Sequence, residues 1–313
     1  MITVIAGGVG AARFLAGLLQ VVDPSEVTAI VNVGDDTDLH GLHISPDIDT
    51  VTYTLAGEIN PDTGWGLRGE TWNAMDTVRR YGGATWFQLG DRDLGTHLFR
   101  TGRLRDGATL SEVTAEITEG WQLGLRLLPA TDDPLRTMVT VVDADAEREV
   151  TFQEYFVQRH HDVPVTALRF EGAPSARPAP GVLDALADAD VVVIAPSNPL
   201  VSIGPVLAVP GVRDMLATIL ERTVAISPII AGAALKGPAD RMLRELGYDA
   251  SVVGIAELYA SVAAALVIDE ADAALADAVE AIGPRAVVAH TVMSTPDAAA
   301  HLAEVTLEAV GAL

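Results

Sequence analysis

The chain has 313 residues, with 43 acidic side chains against 20 basic ones and a formal net charge of −23. That balance excludes a general nucleic-acid-binding face, which needs basic side chains to displace counterions, and the absence of cysteine excludes disulfides, thiolate catalysis and sulfur-ligated zinc. Hydrophobic residues make up 49% of the chain, which supplies a core for one large or two modest domains and rules out a disordered tail.

The N-terminus, MITVIAGGVGAARFLAGLL, lacks a basic leader region and is broken by glycines and Arg13. The longest apolar stretch, VVVIAPSNPLVSIGPVLAVPGV, is interrupted by Pro, Asn and Ser, whereas a spanning helix wants about 20 mostly apolar residues. The expectation is a cytoplasmic protein with neither a membrane nor a nucleic acid as partner.

In chain order, β-branched runs predict strands over residues 3–6, 27–33, 84–89, 190–195, 223–227, 251–253 and 285–289. The run 191–195 is almost wholly apolar, the mark of a strand buried on both faces. Amphipathic stretches over 212–221, 239–246 and 297–310 predict helices between and after them. The middle differs. A helix over 110–118 precedes strand-like runs over 137–142 and 149–156, with the turn Asp143-Ala144-Asp145-Ala146 suggesting a hairpin, and a Pro-rich stretch over 172–181 reads as a hinge or a return connection. The predicted fold class is α/β: a Rossmann-like, mostly parallel sheet with helices on both faces and an inserted smaller region. Residues 1–90 and 181–313 would form the discontinuous main domain, and 91–180 the insertion of a helix and a hairpin.

Four constellations stand out. Gly7-Gly8-Val9-Gly10 follows an apolar strand and precedes a helix, where absent side chains and free N–H groups favour an anion. Arg13 replaces the third glycine of a dinucleotide fingerprint and can fork onto a phosphate. Five aspartates, Asp35, Asp36, Asp38, Asp47 and Asp49, crowd into fifteen residues beyond the second strand. Such short carboxylates suit Mg2+, which leans on substrate phosphates for its remaining ligands. For any one of them the plainer reading is a solvated loop or a helix cap, with Asp47 or Asp49 capping a helix over 50–56. The stretch Ala195-Pro196-Ser197-Asn198-Pro199, running on to Ser202 and Gly204, offers hydroxyls and N–H donors at the end of a buried strand. Lys236 is the one lysine among 20 basic residues, a phosphate contact or a solvated surface charge. Asp91 and Asp93 line a cleft or cap a helix over 94–100. Trp65, Trp72 and Trp86 stack on a flat ring or pack, and His160-His161 lacks a spaced partner for zinc. Asp35 lies 25 residues beyond Gly10, so a dinucleotide-binding oxidoreductase, or a non-catalytic nucleotide-binding module, also fits.

The strings VIAGGVGAARFLAGL, VNVGDDTDLHGLHISPDIDTVTYTLAG, WFQLGDRDLGTHL, APSNPLVSIGPVLAVPGVRD and SPIIAGAALKGPADRM resemble, in order, the 2-phospho-L-lactate transferase / phosphoenolpyruvate transferase family of coenzyme F-420 biosynthesis. The resemblance implies a Mg2+-dependent transferase. It would move a phosphoenolpyruvyl or 2-phospho-L-lactyl group from a guanosine-diphosphate-linked donor to the ribityl hydroxyl of the deazaflavin alcohol Fo, releasing GMP. It places Asp49 and Gln88 at the Fo contacts, the latter a position usually basic in archaeal-type members. Asp35 and Asp36 are the implied holders of Mg2+ and, with Asp49, the candidates for catalysis. Gly7, Gly8, Gly10, Arg13, Ser197, Asn198, Ser202, Gly204 and Lys236 are candidates for the nucleotide and diphosphate. The strings GGVGAARF and GDRDLGTHL look closer to actinobacterial members, which implies an enolpyruvyl donor, and the family suggests a homodimer. His290 stands where relatives are expected to carry an acidic residue and has no assigned role.

Overall fold

A computed structural model describes residues 1–144 and 146–311. Strand β1 (Ile2–Ala6) runs straight into helix α1 (Gly8–Leu18), and β2 (Val27–Val31) follows. A small hairpin of β3 (Thr37–Leu39) and β4 (Leu42–Ile44) leads to α2 (Pro46–Leu55), then α3 (Asn73–Arg80), α4 (Asp93–Arg105) and α5 (Leu110–Gly120). Next come β5 (Arg126–Pro129), β6 (Arg136–Asp143), β7 (Ala146–Thr151) and β8 (Val165–Glu171). The remaining third alternates: α6 (Val182–Ala187), β9 (Val191–Ile194), α7 (Gly204–Ala208), α8 (Val212–Thr218) and β10 (Thr223–Ile226). A two-stranded ribbon, β11 (Ile229–Ile230) and β12 (Ala233–Ala234), precedes α9 (Ala239–Glu245) and α10 (Val252–Tyr259). The chain closes with β13 (Ala265–Asp269), α11 (Ala276–Ile282), β14 (Arg285–Ala289) and α12 (Pro296–Glu308).

Seven strands form one parallel sheet in the order β14-β13-β10-β9-β1-β2-β5. Strands β1, β2, β9, β10 and β13 are buried along their whole length, as expected for a sheet covered on both sides. Connections step outward from β1 toward β5 in the first half and toward β14 in the second. Right-handed crossovers therefore put the helices of the two halves on opposite faces. The reversal falls between β1 and β9, the point at which open α/β sheets bind ligands beyond their strand ends. Helix α12 packs along α1, and a Cβ added to Gly17 would lie 2.3 Å from the carbonyl carbon of Ala299.

The α/β Rossmann-like class predicted from the sequence is the observed one, and the strand assignments near 3–6, 27–33, 190–195, 223–227 and 285–289 hold. Others need correction. Residues 84–89 form a loop, not a strand. Residues 251–253 open α10, because the Ser251 hydroxyl accepts from the N–H groups of Val253 (3.1 Å) and Gly254 (3.4 Å) as an N-cap. The predicted strand 149–156 ends at Thr151, and residues Glu154–Gln158 wind into a π-helical turn. In the hairpin turn, Asp145 lies outside the described residues. Strand β8 pairs with β6 to make a three-stranded antiparallel unit. Strand β5, from the segment read as an insertion, joins the main sheet beside β2, and β13 was not anticipated. Among the described residues no single helix is long and apolar enough to cross a membrane.

Candidate functional site

A cavity of about 730 Å3 opens at the C-terminal ends of β1 and β9. Its floor begins at the strand-to-helix turn. Gly8 has φ +69°, the left-handed conformation open to glycine. A Cβ on Gly7 would lie 2.8 Å from the Cβ of Ser202, and one on Gly10 would lie 2.2 Å from the carbonyl oxygen of Pro196. The glycines therefore let the 196–202 loop press onto the turn. Ser197 Oγ donates to the carbonyl oxygen of Gly7 at 2.6 Å and clamps the two loops together. Asn198 caps the next turn, its Oδ1 accepting from the N–H of Leu200 at 2.9 Å.

Two buried aspartates converge beside this turn, though not the pair the sequence suggested. Asp35 and Asp47 line the cavity, whereas Asp36 does not. Asp36 accepts from Ser45 Oγ at 2.8 Å and sits 3.1 Å from His43 Nε2, inside the fold of the β3–β4 hairpin. Asp47 belongs to the first turn of α2, which starts at Pro46 and not at residue 50, so neither Asp47 nor Asp49 is a cap. Asn32 holds Asp47 by donating Nδ2 to its Oδ2 at 2.9 Å, and its own Oδ1 accepts from the Gly34 N–H at 2.8 Å. Burial, reinforced by the neighbouring Asp47 charge, pushes the Asp35 carboxyl well above its usual range. Burial, together with the charge of Asp36, pushes Asp47 up to about 7 against the bonds from Asn32 and the Gly8 N–H. Asp35 Oδ1 is buried with no hydrogen-bond partner.

Asp49 and Gln88 also line the cavity, the latter fixed by donating Nε2 to the Thr85 carbonyl oxygen at 2.6 Å. So do Tyr53, Asp93 and His97, which sequence reasoning missed as a set. Asp49, Asp93 and His97 present three ligand atoms within 4.8 Å of one another and can hold a metal ion. Arg13 and Lys236 are the cationic arginine and lysine of the wall, and neither makes an ion pair among the described residues. Ser202 is on the wall, but Gly204 opens α7 away from it, against Phe170. The antiparallel unit contributes Phe152, Gln153 and Phe156, with Gln153 Nε2 donating to the Asp35 carbonyl oxygen at 3.2 Å. Trp65 is on the wall and packs edge-on against Trp72 at 5.9 Å, while Trp86 is not on it. His290 and the pair His160-His161 lie off the wall too, and Asp91 caps α3 through the N–H groups of Asn73 and Ala74.

An open parallel sheet with a glycine turn, two unpaired cations and a buried carboxylate pair at its switch point defines a Rossmann-like protein whose cavity is chemically suited to a phosphorylated ligand. Comparison narrows this. The model of the 2-phospho-L-lactate transferase CofD family matches residues 2–253, and the chain belongs to that family. A phosphoenolpyruvate transferase of Kitasatospora aureofaciens is 45% identical over 309 residues, covering 98% of this chain and 96% of that one. The phosphoenolpyruvate transferase of Mycolicibacterium smegmatis is 42% identical over 322 residues, covering 99% and 98%. Among solved structures, a UPF0052 family member from Bacillus halodurans shares the fold, with a TM-score of 0.60 at 17% identity over 98% of both chains.

Proposed function

We propose that the protein is the transferase that moves a phosphoenolpyruvyl group from a guanosine-diphosphate-linked donor to the ribityl hydroxyl of Fo, with release of GMP, in coenzyme F-420 biosynthesis. Family membership supports the transferase reading, and the names of the 45% and 42% identical relatives favour the enolpyruvyl donor over the lactyl one. The observation that carries the reading is that Asp35, Asp47, the Gly7–Gly10 turn, Ser197, Arg13 and Lys236 line one cavity. Arg13 and Lys236 supply the charge that a chain of net −23 otherwise denies a diphosphate.

The carboxylate pair fits Mg2+. Its donors are hard oxygens, one of them is buried without a partner, and burial, reinforced by a neighbouring carboxylate, raises the proton affinity of each acid. The Asp49, Asp93 and His97 group fits less well, because Arg100 already engages both oxygens of Asp49. Asp35 and Asp47 would hold Mg2+, which when bound supplies charge neutralisation at the phosphoryl oxygens. The protein's own contribution is placement: the glycine turn and the Ser197 loop seat the nucleotide diphosphate, and Asp49 and Gln88 face the acceptor alcohol. Asp49 accepts the hydroxyl proton as the alcohol attacks phosphorus and GMP leaves in line. No enzyme nucleophile is needed.

The working protein is proposed to be a cytoplasmic homodimer with small molecules as its only partners. Incubation of the full chain with Fo, Mg2+ and each of the two guanylated acids, read by mass, tests the function. An enolpyruvyl-phospho adduct of Fo together with GMP is expected. Thermal protection by a nicotinamide dinucleotide and none by GDP would sink the transferase reading.

A further inference from the structure

The wall bearing Asp49 rests on a buried polar network. Arg100 is wholly buried and grips Asp49 with two terminal nitrogens, Nη1 to Oδ2 at 3.1 Å and Nη2 to Oδ1. The same Nη1 lies 3.4 Å from His97 Nδ1. A guanidinium has no acceptor, so Nδ1 receives that hydrogen and the imidazole carries its own proton on Nε2. Nε2 lies 3.3 Å from Asp93 Oδ2 but outside hydrogen-bonding geometry, and Tyr53 donates its hydroxyl to Asp93 Oδ1 at 2.6 Å. Two helices build this chain of contacts: α2 offers Asp49 and Tyr53 one turn apart, and α4 offers Asp93, His97 and Arg100 on one face. Asp49, Tyr53, Asp93 and His97 reach the cavity, whereas Arg100 stands behind them.

We propose that Arg100 is a positioning residue for the acceptor side of the reaction. It aims the Asp49 carboxylate into the cavity and, by taking up Nδ1 of His97, fixes which imidazole nitrogen carries the proton. This rests on the reading above, in which Asp49 meets the acceptor alcohol. A lone carboxylate there would be free to rotate about its last bond, and a bidentate guanidinium fixes the plane in which its oxygens face the cavity. Lysine, a point charge on a flexible stem, keeps the charge and loses the fork.

Equilibrium dialysis of Fo and of GDP against the full chain, with steady-state kinetics alongside, tests this. Arg100→Lys is expected to weaken Fo binding about tenfold, the size of one buried charged contact, and to leave GDP binding within about twofold. In an Asp49→Asn background, replacing Arg100 by Gln is expected to add no further loss of Fo binding, since the two residues act as one unit. That double variant exchanges the ion pair for two amides, and it decides the matter if Arg100→Lys fails to fold. Equal loss of Fo and GDP binding in Arg100→Lys, or full additivity with Asp49→Asn, overturns the proposal. An Asp49→Asn variant that binds Fo as well as the parent removes the underlying reading instead. A strong Asp49 effect beside a silent Arg100 removes the positioning role alone.

Discussion

Ser197 Oγ donates to the carbonyl oxygen of Gly7 at 2.6 Å across 190 residues of sequence, and this bond joins the two halves of the candidate site. Replacing Ser197 by Ala leaves a buried carbonyl without its partner. A loss of about 1 kcal/mol in unfolding free energy is expected, with weaker GDP binding and unchanged Fo binding. Urea titration and dialysis measure the two effects, and an intact GDP affinity would detach the clamp from nucleotide binding.

Gly10 meets the Pro196 carbonyl oxygen so closely that Gly10→Ala must displace one backbone or the other. The expected cost is about 3 kcal/mol, as for overpacking against a structure that cannot yield. A midpoint of chemical denaturation like the parent's would show that the turn is looser than described.

Asp35→Asn removes one oxygen ligand and one of two mutually repelling carboxyls. Turnover is expected to fall by more than the roughly 100-fold that outer partners of metal ligands cost. Thermal stability should hold or rise, because a buried carboxyl disfavoured by burial and by its neighbouring carboxylate has gone. Activity that keeps its response to Mg2+ would move the ion elsewhere.

The Asp47 carboxyl, raised to about 7, sets a pH dependence with a definite sign. The folded state keeps this proton up to about pH 7, while an unfolded Asp releases it near pH 3.9, so the fold loses stability as pH climbs between those values. Mg2+ competes with the proton. Saturating Mg2+ should therefore raise the melting temperature more at about pH 8 than at about pH 5.5. Equal shifts at both values, measured by scanning calorimetry, would exclude Asp47 as a ligand.

Lys236 and Arg13 reach the wall without ion-pair partners, so Lys236→Gln should raise the donor KM about tenfold with kcat little changed. An unaltered donor KM would return Lys236 to the role of a surface charge.

Much of this was legible in the residues themselves, because the signals were local. Val191–Ile194 is apolar throughout, and that forces it into the sheet interior. The glycines between β1 and α1 mark a turn pressed by another loop. The losses came where two local signals competed. Pro46 at the first helical position signals the start of α2, but the polar Asp47 and Asp49 read equally as caps of a later start. Ser251 caps α10, yet the two β-branched residues that follow it read as a strand. Strand β13 sits behind an alanine run that reads as helix. The spacing of Asp93, His97 and Arg100 does place them on one helix face, yet a polar stripe normally faces water, and only tertiary packing turned this one inward.

Gly17 lies nine residues along α1 from Gly8, roughly 13 Å down the axis, and its missing side chain is what allows α12 to seat against that helix. The last helix thus braces the rod that carries the glycine turn at its far end, and one methyl group added at residue 17 would have to push the two helices apart.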